Sequence, residues 1–298
     1  MKGKKKSRLL KHEEKYAYLM ISPVILGFMC LLLFPLLYEV YMSCTNMSLN
    51  DAGVWVGAEN YINLFSDSKY LNSMKNTVIF TLGVVPINVL CALILAQVLN
   101  QKIRGVGLFR TLVFIPYITP VVVWATVWKL ILSSDAGILN SILKLFGIAG
   151  QNWLFNMDLT MPVVILNVVL KGVGYNVVIF LSALMSVPVV YYEAAEIDGA
   201  SIISKFFKVT VPMISPTLFM VVIMTIIGAF KSFANVYNLT KGGPARATQI
   251  MVLYIYDKAF KEYEFGYAAA ASIVLFGIIL ILTLIQWGMR KRLVYAEE

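Results

Sequence analysis

The chain has 298 residues, of which 59% are hydrophobic and 14% are charged, and its mean hydropathy is +0.78. Soluble domains average about 45–50% apolar and about 25% charged residues, so this composition excludes an ordinary soluble protein and indicates a membrane protein. The net charge of +9 does not indicate nucleic-acid binding, because membrane proteins collect Lys and Arg on cytoplasmic loops and no basic stripe with interleaved aromatic residues is present. His12 is the only histidine and the three cysteines have no paired spacing, so we expect no His-based catalytic dyad, no other catalytic residues and no metal site.

Six apolar runs follow one another along the chain. A bilayer core of about 30 Å needs about twenty apolar residues in a helix, and each run reaches that length. Strand-like segments of about ten alternating residues are absent, which argues against a barrel. The sequence therefore predicts an all-α integral membrane protein with one transmembrane domain, residues 16–289, between a basic tail, 1–15, and a second tail, 290–298. The predicted spans are residues 16–43, 77–99, 108–132, 161–187, 213–233 and 267–289.

The distribution of Lys and Arg predicts the orientation of these spans. With the N-terminus inside, the basic tail, the charges between the second and third spans, and Arg290, Lys291 and Arg292 all lie on one side. Short loops near span ends count most in the positive-inside rule. The rule puts both termini in the cytoplasm of a multi-pass cell-membrane protein. The polar loop at 188–212 falls on the same side, where ATP is found.

The loop at 188–212 is polar and charged but rich in small residues. Residues 189–198 read as a short helix, Gly199 suits the position just past its end, and Ser201 can cap a second helix. Such a compact helical surface favours the docking of a partner. The alternative is an amphipathic helix that lies in the membrane interface.

Residues 193–195 of this loop are followed after three residues by Gly199, and after nine more by residues 209–212. This spacing resembles the EAA signature of binding-protein-dependent ABC importer permeases. The extended motif is similar to their carbohydrate-uptake branch, the maltose and multiple-sugar permeases. Two valines in the last segment replace the usual Ile and Leu, which is a conservative difference. Other similar segments are at residues 76–77, 114–116, 240–244 and 267–270.

The resemblance implies a type I ABC importer permease fold, with a sugar or oligosaccharide as the solute. It implies that the loop forms a coupling helix that docks on an ATP-binding subunit. The implied partners are a second homologous permease, two ATP-binding subunits and an extracytoplasmic solute-binding protein. The chain has no Walker motif, so it is not expected to be an enzyme or to bind a cofactor, and ATP and Mg²⁺ belong to the ATPase subunits. The implied docking residues are Glu193, Ala194, Ala195, Asp198 and Gly199.

Polar residues also occur inside the fourth and fifth predicted spans. Ionisable groups in spans are costly and usually face a bundle interior or an aqueous cavity, and sugars bind polar groups beside aromatic faces. We therefore predict a solute pathway there, with Lys171 or Lys231 able to attract an anionic sugar acid or phosphate. The alternative is interhelical hydrogen bonding, with small residues as packing notches. The predicted pathway residues are Gly174, Tyr175, Asn176, Lys231, Ser232 and Asn235.

A tight turn with Gly242, Gly243 and Pro244 follows the fifth predicted span. The residue types alone fit any loop. The resemblance places this turn on the outer face, near the docked solute-binding protein. We therefore predict that these three residues contact that protein.

Two other functional classes are compatible with a polytopic membrane protein. An ion-coupled secondary transporter of a polar solute is the main alternative, but such proteins often carry carboxylates at the membrane midplane. The predicted spans have no central Asp or Glu, and Glu39 lies near an outer end. A membrane-embedded enzyme is disfavoured because no cluster of Asp, Glu, His or paired Cys occurs at depth.

Overall fold

The structure is a computed structural model that describes residues 8–101 and 104–293, with side chains described from residue 16 to residue 290. Residues 1–7 of the predicted basic tail and 294–298 of the second tail lie outside the described residues. Within the described ranges the chain is helical and contains no β-strand, only isolated bridges from Thr45 to Trp55 and from Ser48 to Asp51. The prediction of an all-α protein is confirmed for this part of the chain.

The helices are numbered in chain order, with two π-helical turns, Met29–Leu33 and Phe206–Thr210, between them. Their bounds are α1 Arg8–Phe28, α2 Phe34–Ser43, α3 Glu59–Ser66, α4 Ser68–Leu99, α5 Val106–Ile118, α6 Val121–Ile131, α7 Ile138–Leu145, α8 Met157–Ser186, α9 Val189–Ile197, α10 Ile202–Lys205, α11 Val211–Met213, α12 Ser215–Phe230, α13 Phe233–Thr240, α14 Met251–Phe260 and α15 Phe265–Leu293.

The described chain contains four to six candidate membrane spans. Two bent helix pairs are each long and apolar enough, taken together, to cross a membrane: α5 with α6, which meet at 100°, and Ile202–Met213 with α12, which meet at 73°. The upper figure of six counts each bent pair as one span. The straight candidates are Tyr16–Ser43, Ser68–Leu99, Met157–Ser186 and Phe265–Arg290.

The third predicted span, 108–132, departs most from the expectation because it consists of two helices. Pro120 has no N–H and cannot bond the carbonyl of Pro116, four residues earlier. Thr119 precedes that proline and is extended, with φ −65° and ψ 131°. The helix is therefore interrupted, and the two halves take different directions.

The ends of three other spans also differ from the predicted ones. Helix α4 starts well before residue 77, because Asp67 accepts a hydrogen bond from the Lys69 amide at 2.8 Å and caps the helix. Asn156 caps α8 in the same way, with 2.9 Å to the Asp158 amide. The long helix of the fifth span, α12, starts at Ser215, after the bend, and ends at Phe230 rather than 233. A search for apolar runs does not locate helix caps and breaks, because these depend on polar residues beside the runs.

The contacts divide the chain into two units, of which the larger comprises Phe65–Asp257 and the residues from Val274 onward. Its core lies where α4 packs along α8, with α5 against α8 and α12 against α4. Ala92 and Ala96 are fully buried beside Phe180. Small residues of this kind let helix backbones approach closely, which is the main source of packing energy between helices in lipid.

The smaller unit comprises the residues up to Leu64 and Lys258–Ile273. The buried amide of Asn60, on α3, donates to the carbonyl of Ser43 at 2.9 Å and to that of Thr45 at 2.8 Å. These bonds satisfy two carbonyls at the end of α2 and hold α3 against it.

Candidate functional site

Helix α9 is the short helix predicted in the loop at 188–212. It follows Pro188, whose missing N–H costs nothing at a helix start. It ends before Gly199, whose φ of +72° lies in the left-handed region that favours glycine. Ser201 then accepts a hydrogen bond from the Ser204 amide at 3.3 Å and begins α10. The loop has the helix–turn–helix shape expected from its sequence.

The predicted docking residues lie together on α9 and the turn after it. Glu193, Ala194, Asp198 and Gly199 are exposed, and Ala195 is half-buried. The carboxylates of Glu193 and Asp198 lie next to the small residues Ala194, Ala195 and Gly199. This surface can be approached closely by a partner and offers it negative charge.

Two side-chain contacts support α9 from behind. The hydroxyls of Tyr192 and Thr210 lie 3.0 Å apart, which ties α9 to the π-helical turn before α11. Lys205 donates to Glu196 at 2.6 Å. The hydrogen bond from Lys205, and then its charge, lower the pKa of the Glu196 carboxyl. The loop is thus braced as one body. The Tyr192–Thr210 pair was not predicted, because its partners are 18 residues apart and no local spacing rule joins them.

A cavity of about 290 Å³ lies among α4, α8 and α12 in the larger unit. Four of the six predicted pathway residues line it, namely Tyr175, Asn176, Ser232 and Asn235. Tyr175 stacks on Tyr117, with ring centroids 4.9 Å apart and planes 21° apart. The cavity therefore combines an aromatic wall with amide and hydroxyl groups, the chemistry that sugars require. Its other polar lining residues are Asn88, Lys171 and Thr225.

The amides in this cavity differ in how fully they are hydrogen-bonded. Asn176 donates to the Asn88 side-chain oxygen at 2.6 Å and to the Thr225 hydroxyl at 3.1 Å, which links α8 to α4 and α12. Asn235 donates to Ser232 at 3.2 Å, but its Oδ1 has no partner among the described residues. Asn176 is therefore part of the helix packing, whereas the buried oxygen of Asn235 is an unused acceptor at the cavity wall.

We expect Asn176→Ala to lower the stability of the protein, because it leaves the buried Oδ1 of Asn88 without its donor. An orphaned buried acceptor costs about 1–3 kcal/mol. The matched control is Asn235→Ala, which removes one longer hydrogen bond, 3.2 Å to the Ser232 hydroxyl, and an oxygen that has no partner among the described residues, and should lower the thermal unfolding midpoint less. Thermal unfolding in detergent measures both variants. Equal shifts in the two midpoints would contradict the structural role of Asn176.

The other two predicted pathway residues, Gly174 and Lys231, do not line the cavity. Gly174 faces α5, and a Cβ atom there would collide with the carbonyl oxygen of Val113. Lys231 caps the end of α12 and is exposed. The structure gives Gly174 the packing role that sequence reasoning held as the alternative.

The predicted turn follows α13 and is held by hydroxyl groups. Thr248 contacts the Thr240 hydroxyl at 2.7 Å and donates to the Gly243 carbonyl at 2.7 Å. Gly242 is buried, with φ +86°. Gly243 and Pro244 line a cavity of about 520 Å³. The turn is thus a fixed element in which Gly242 supplies the backbone conformation.

A family described as the binding-protein-dependent transport system inner membrane component matches residues 88–294, more than half of the chain. The chain belongs to this family. It is a permease of the inner membrane, and the expected ABC transporter resemblance is confirmed. The matched residues include α9 and most of the cavity lining.

Relatives of this permease match it over nearly its whole length. A probable ABC transporter permease, YesP of Bacillus subtilis, is 35% identical over 99% of this chain and 96% of its own. The lactose transport system permease LacF of Rhizobium radiobacter is 33% identical over 96% of this chain and 98% of its own.

The permease also has the fold of a solved ABC importer. A chain from the crystal structure of a bacterial ABC transporter involved in the import of alginate superposes with a TM-score of 0.83. The superposition covers 96% of this chain and 99% of that one, at 23% identity. The expected importer permease fold is therefore confirmed.

Proposed function

We propose that this permease moves a sugar or oligosaccharide into the cytoplasm and is driven by ATP-binding subunits that dock on α9. The observation that carries the proposal is the exposed, braced helix α9, with Glu193 and Asp198 beside alanines and a glycine stop. A helix held in this way transmits a displacement to the spans as a rigid body. The lactose permease relative supports a sugar as the solute.

The proposed topology has six spans and both termini in the cytoplasm, with each bent helix pair crossing once. Two ATP-binding subunits hold ATP and Mg²⁺. When they close on ATP they move α9, and this movement shifts the permease to its outward-open state. A second homologous permease completes the pathway. The apolar helix Tyr16–Ser43, whose most apolar stretch is not buried within this chain, is free to face lipid or that second subunit.

The proposed solute path runs through the 290 Å³ cavity. Tyr175 offers a ring face, and Ser232 and Asn235 offer a hydroxyl and a free amide oxygen. On the outer face, an extracytoplasmic solute-binding protein delivers the solute against the turn at Gly243 and Pro244. The rigid backbone of that turn and the wide cavity beside it support this contact.

Uptake is expected to require ATP hydrolysis and to be independent of ion gradients. The test uses proteoliposomes containing the complex purified through a tag on this chain. Binding protein and a radiolabelled mixture of neutral and acidic oligosaccharides are added outside, and ATP with Mg²⁺ is enclosed. A non-hydrolysable ATP analogue serves as the control and should abolish accumulation. Accumulation that persists with the analogue but stops with proton and sodium ionophores would instead support the ion-coupled transporter.

A further inference from the structure

Lys171 lies where the broken pair α5–α6 meets α8. Its Nζ donates to the carbonyl oxygens of Pro116, at 3.1 Å, and Thr119. The Pro116 carbonyl lacks a helix partner because Pro120 has no N–H. The ammonium therefore substitutes for missing donors at the C-terminal end of α5, where the helix dipole is negative.

Lys171 also lines the 290 Å³ cavity. A lysine has three N–H donors, and two of them point to the carbonyls at the helix break. The third has no oxygen partner among the described residues. The Trp124 ring flanks the ammonium, with its centroid 5.8 Å from Nζ. One donor of Lys171 is thus available to a bound solute.

The charge of Lys171 is not balanced inside the cavity. Among the described residues that line it, Lys171 alone has a basic side chain, and neither Asp nor Glu is present. The two carbonyl dipoles contact its amine but carry no negative charge that would balance a proton there. A cleft walled by apolar groups and carrying one sign of charge concentrates ions of the opposite sign.

We propose that Lys171 is a specificity-determining residue that binds a carboxylate of an acidic sugar, such as a uronate oligosaccharide. This inference rests on the proposed sugar transport and narrows its solute class. The sugar ring lies against Tyr175, and its hydroxyls bond to Ser232 and to the free oxygen of Asn235.

A single ammonium with one uncommitted N–H suits a carboxylate better than a phosphate. Phosphate sites generally offer several donors, such as a bidentate Arg or the amides at a helix N-terminus. The described lining of this cavity contains no Arg. A carboxylate needs one charge-assisted hydrogen bond to one of its oxygens, which Lys171 supplies.

The test is calorimetry on the detergent-solubilised complex, purified through a tag on this chain and without the binding protein, so that only the membrane site is measured. The probes are digalacturonate, its neutral dimethyl ester, lactose and lactose 6-phosphate. In the wild type, digalacturonate should bind about tenfold to a hundredfold more tightly than the ester, the range of a charge-assisted hydrogen bond. Lys171→Gln should abolish this difference, and Lys171→Arg should keep most of it. The matched control Lys231→Gln, which removes an exposed charge outside the cavity, should leave it unchanged.

Each remaining outcome overturns the proposal in a distinguishable way. Equal binding of the acid and its ester by the wild type excludes acidic selectivity but leaves sugar transport intact. Tighter binding of lactose 6-phosphate than of digalacturonate assigns the site to phosphate. If Lys231→Gln loses as much of the preference for the acid over the ester as Lys171→Gln does, the preference comes from the overall positive charge of the protein and not from Lys171. Absence of binding for all four sugars overturns the proposed function as well. The acid–ester comparison needs no variant, so it holds even if Lys171→Gln does not assemble.

Discussion

Substituting valine for Gly174 should lower the yield of folded protein in the membrane several-fold. Helices α5 and α8 touch at this point through their backbones, and a Cβ atom at Gly174 would collide with the Val113 carbonyl oxygen and lie 3.1 Å from the Phe114 Cα. Backbone atoms cannot rotate away as a side chain can, so the two helices must separate. Overpacking of this kind costs about 1–3 kcal/mol, sometimes more, against a total stability of about 5–15 kcal/mol.

Gly277→Val is the matched control for Gly174→Val. Gly277 lies in α15, and a Cβ atom there meets nothing within 4 Å. Size-exclusion chromatography of a fluorescent fusion compares the monodisperse fraction of the two variants with that of the wild type. We expect a loss of several-fold for Gly174→Val and almost none for Gly277→Val. Wild-type yield of Gly174→Val would show that α5 and α8 do not approach as closely as the structure has them.

The features predicted best from sequence are those that depend on neighbouring residues in the chain. The end of α9 at Gly199 and the start of α10 at Ser201 follow from backbone conformation and capping, which involve a few residues on either side. The long apolar runs likewise identify most spans, because the bilayer thickness sets their length. Local chemistry was sufficient to predict the shape of the loop at 188–212.

The features missed by the sequence depend on which helices become neighbours. Pro120 was visible inside an apolar run, but membrane helices tolerate prolines, so a break could not be distinguished from a kink. The role of Gly174 depends on the position of Val113 in another helix. Asn88, a lone amide in an apolar stretch, could have been flagged by the high cost of a polar group in a span. The pairing of Asn88 with Asn176 could not have been predicted from the sequence.

Replacing Glu193 with lysine should abolish ATP-coupled uptake while membrane insertion and yield stay normal. Glu193 is exposed on α9, so the substitution disturbs no packing within this chain. On the proposed interface the reversal turns an attraction for basic or amide groups of the ATP-binding subunit into a repulsion. Like charges brought together at an interface cost several kcal/mol, which corresponds to at least about a hundredfold loss of docking affinity.

Asp158→Lys is the matched control for Glu193→Lys. It reverses the charge of an exposed carboxylate in the first turn of α8, at the end of that helix that does not lead into α9. Its local cost is limited to the dipole interaction at a helix N-terminus, about 0.3–1 kcal/mol. Uptake into proteoliposomes and the recovery of ATP-binding subunits with the tagged permease are measured for both variants. We expect Glu193→Lys to lose both signals and Asp158→Lys to keep both.

The two measurements separate a docking role from a coupling role for Glu193. If Glu193→Lys still recovers its ATP-binding subunits but takes up no solute, the carboxylate transmits the movement rather than securing the contact. If uptake is also unimpaired, α9 is not the surface on which the ATPase acts. The interfacial amphipathic helix, in which residues 189–197 only lie on the membrane, then becomes the better account of this loop.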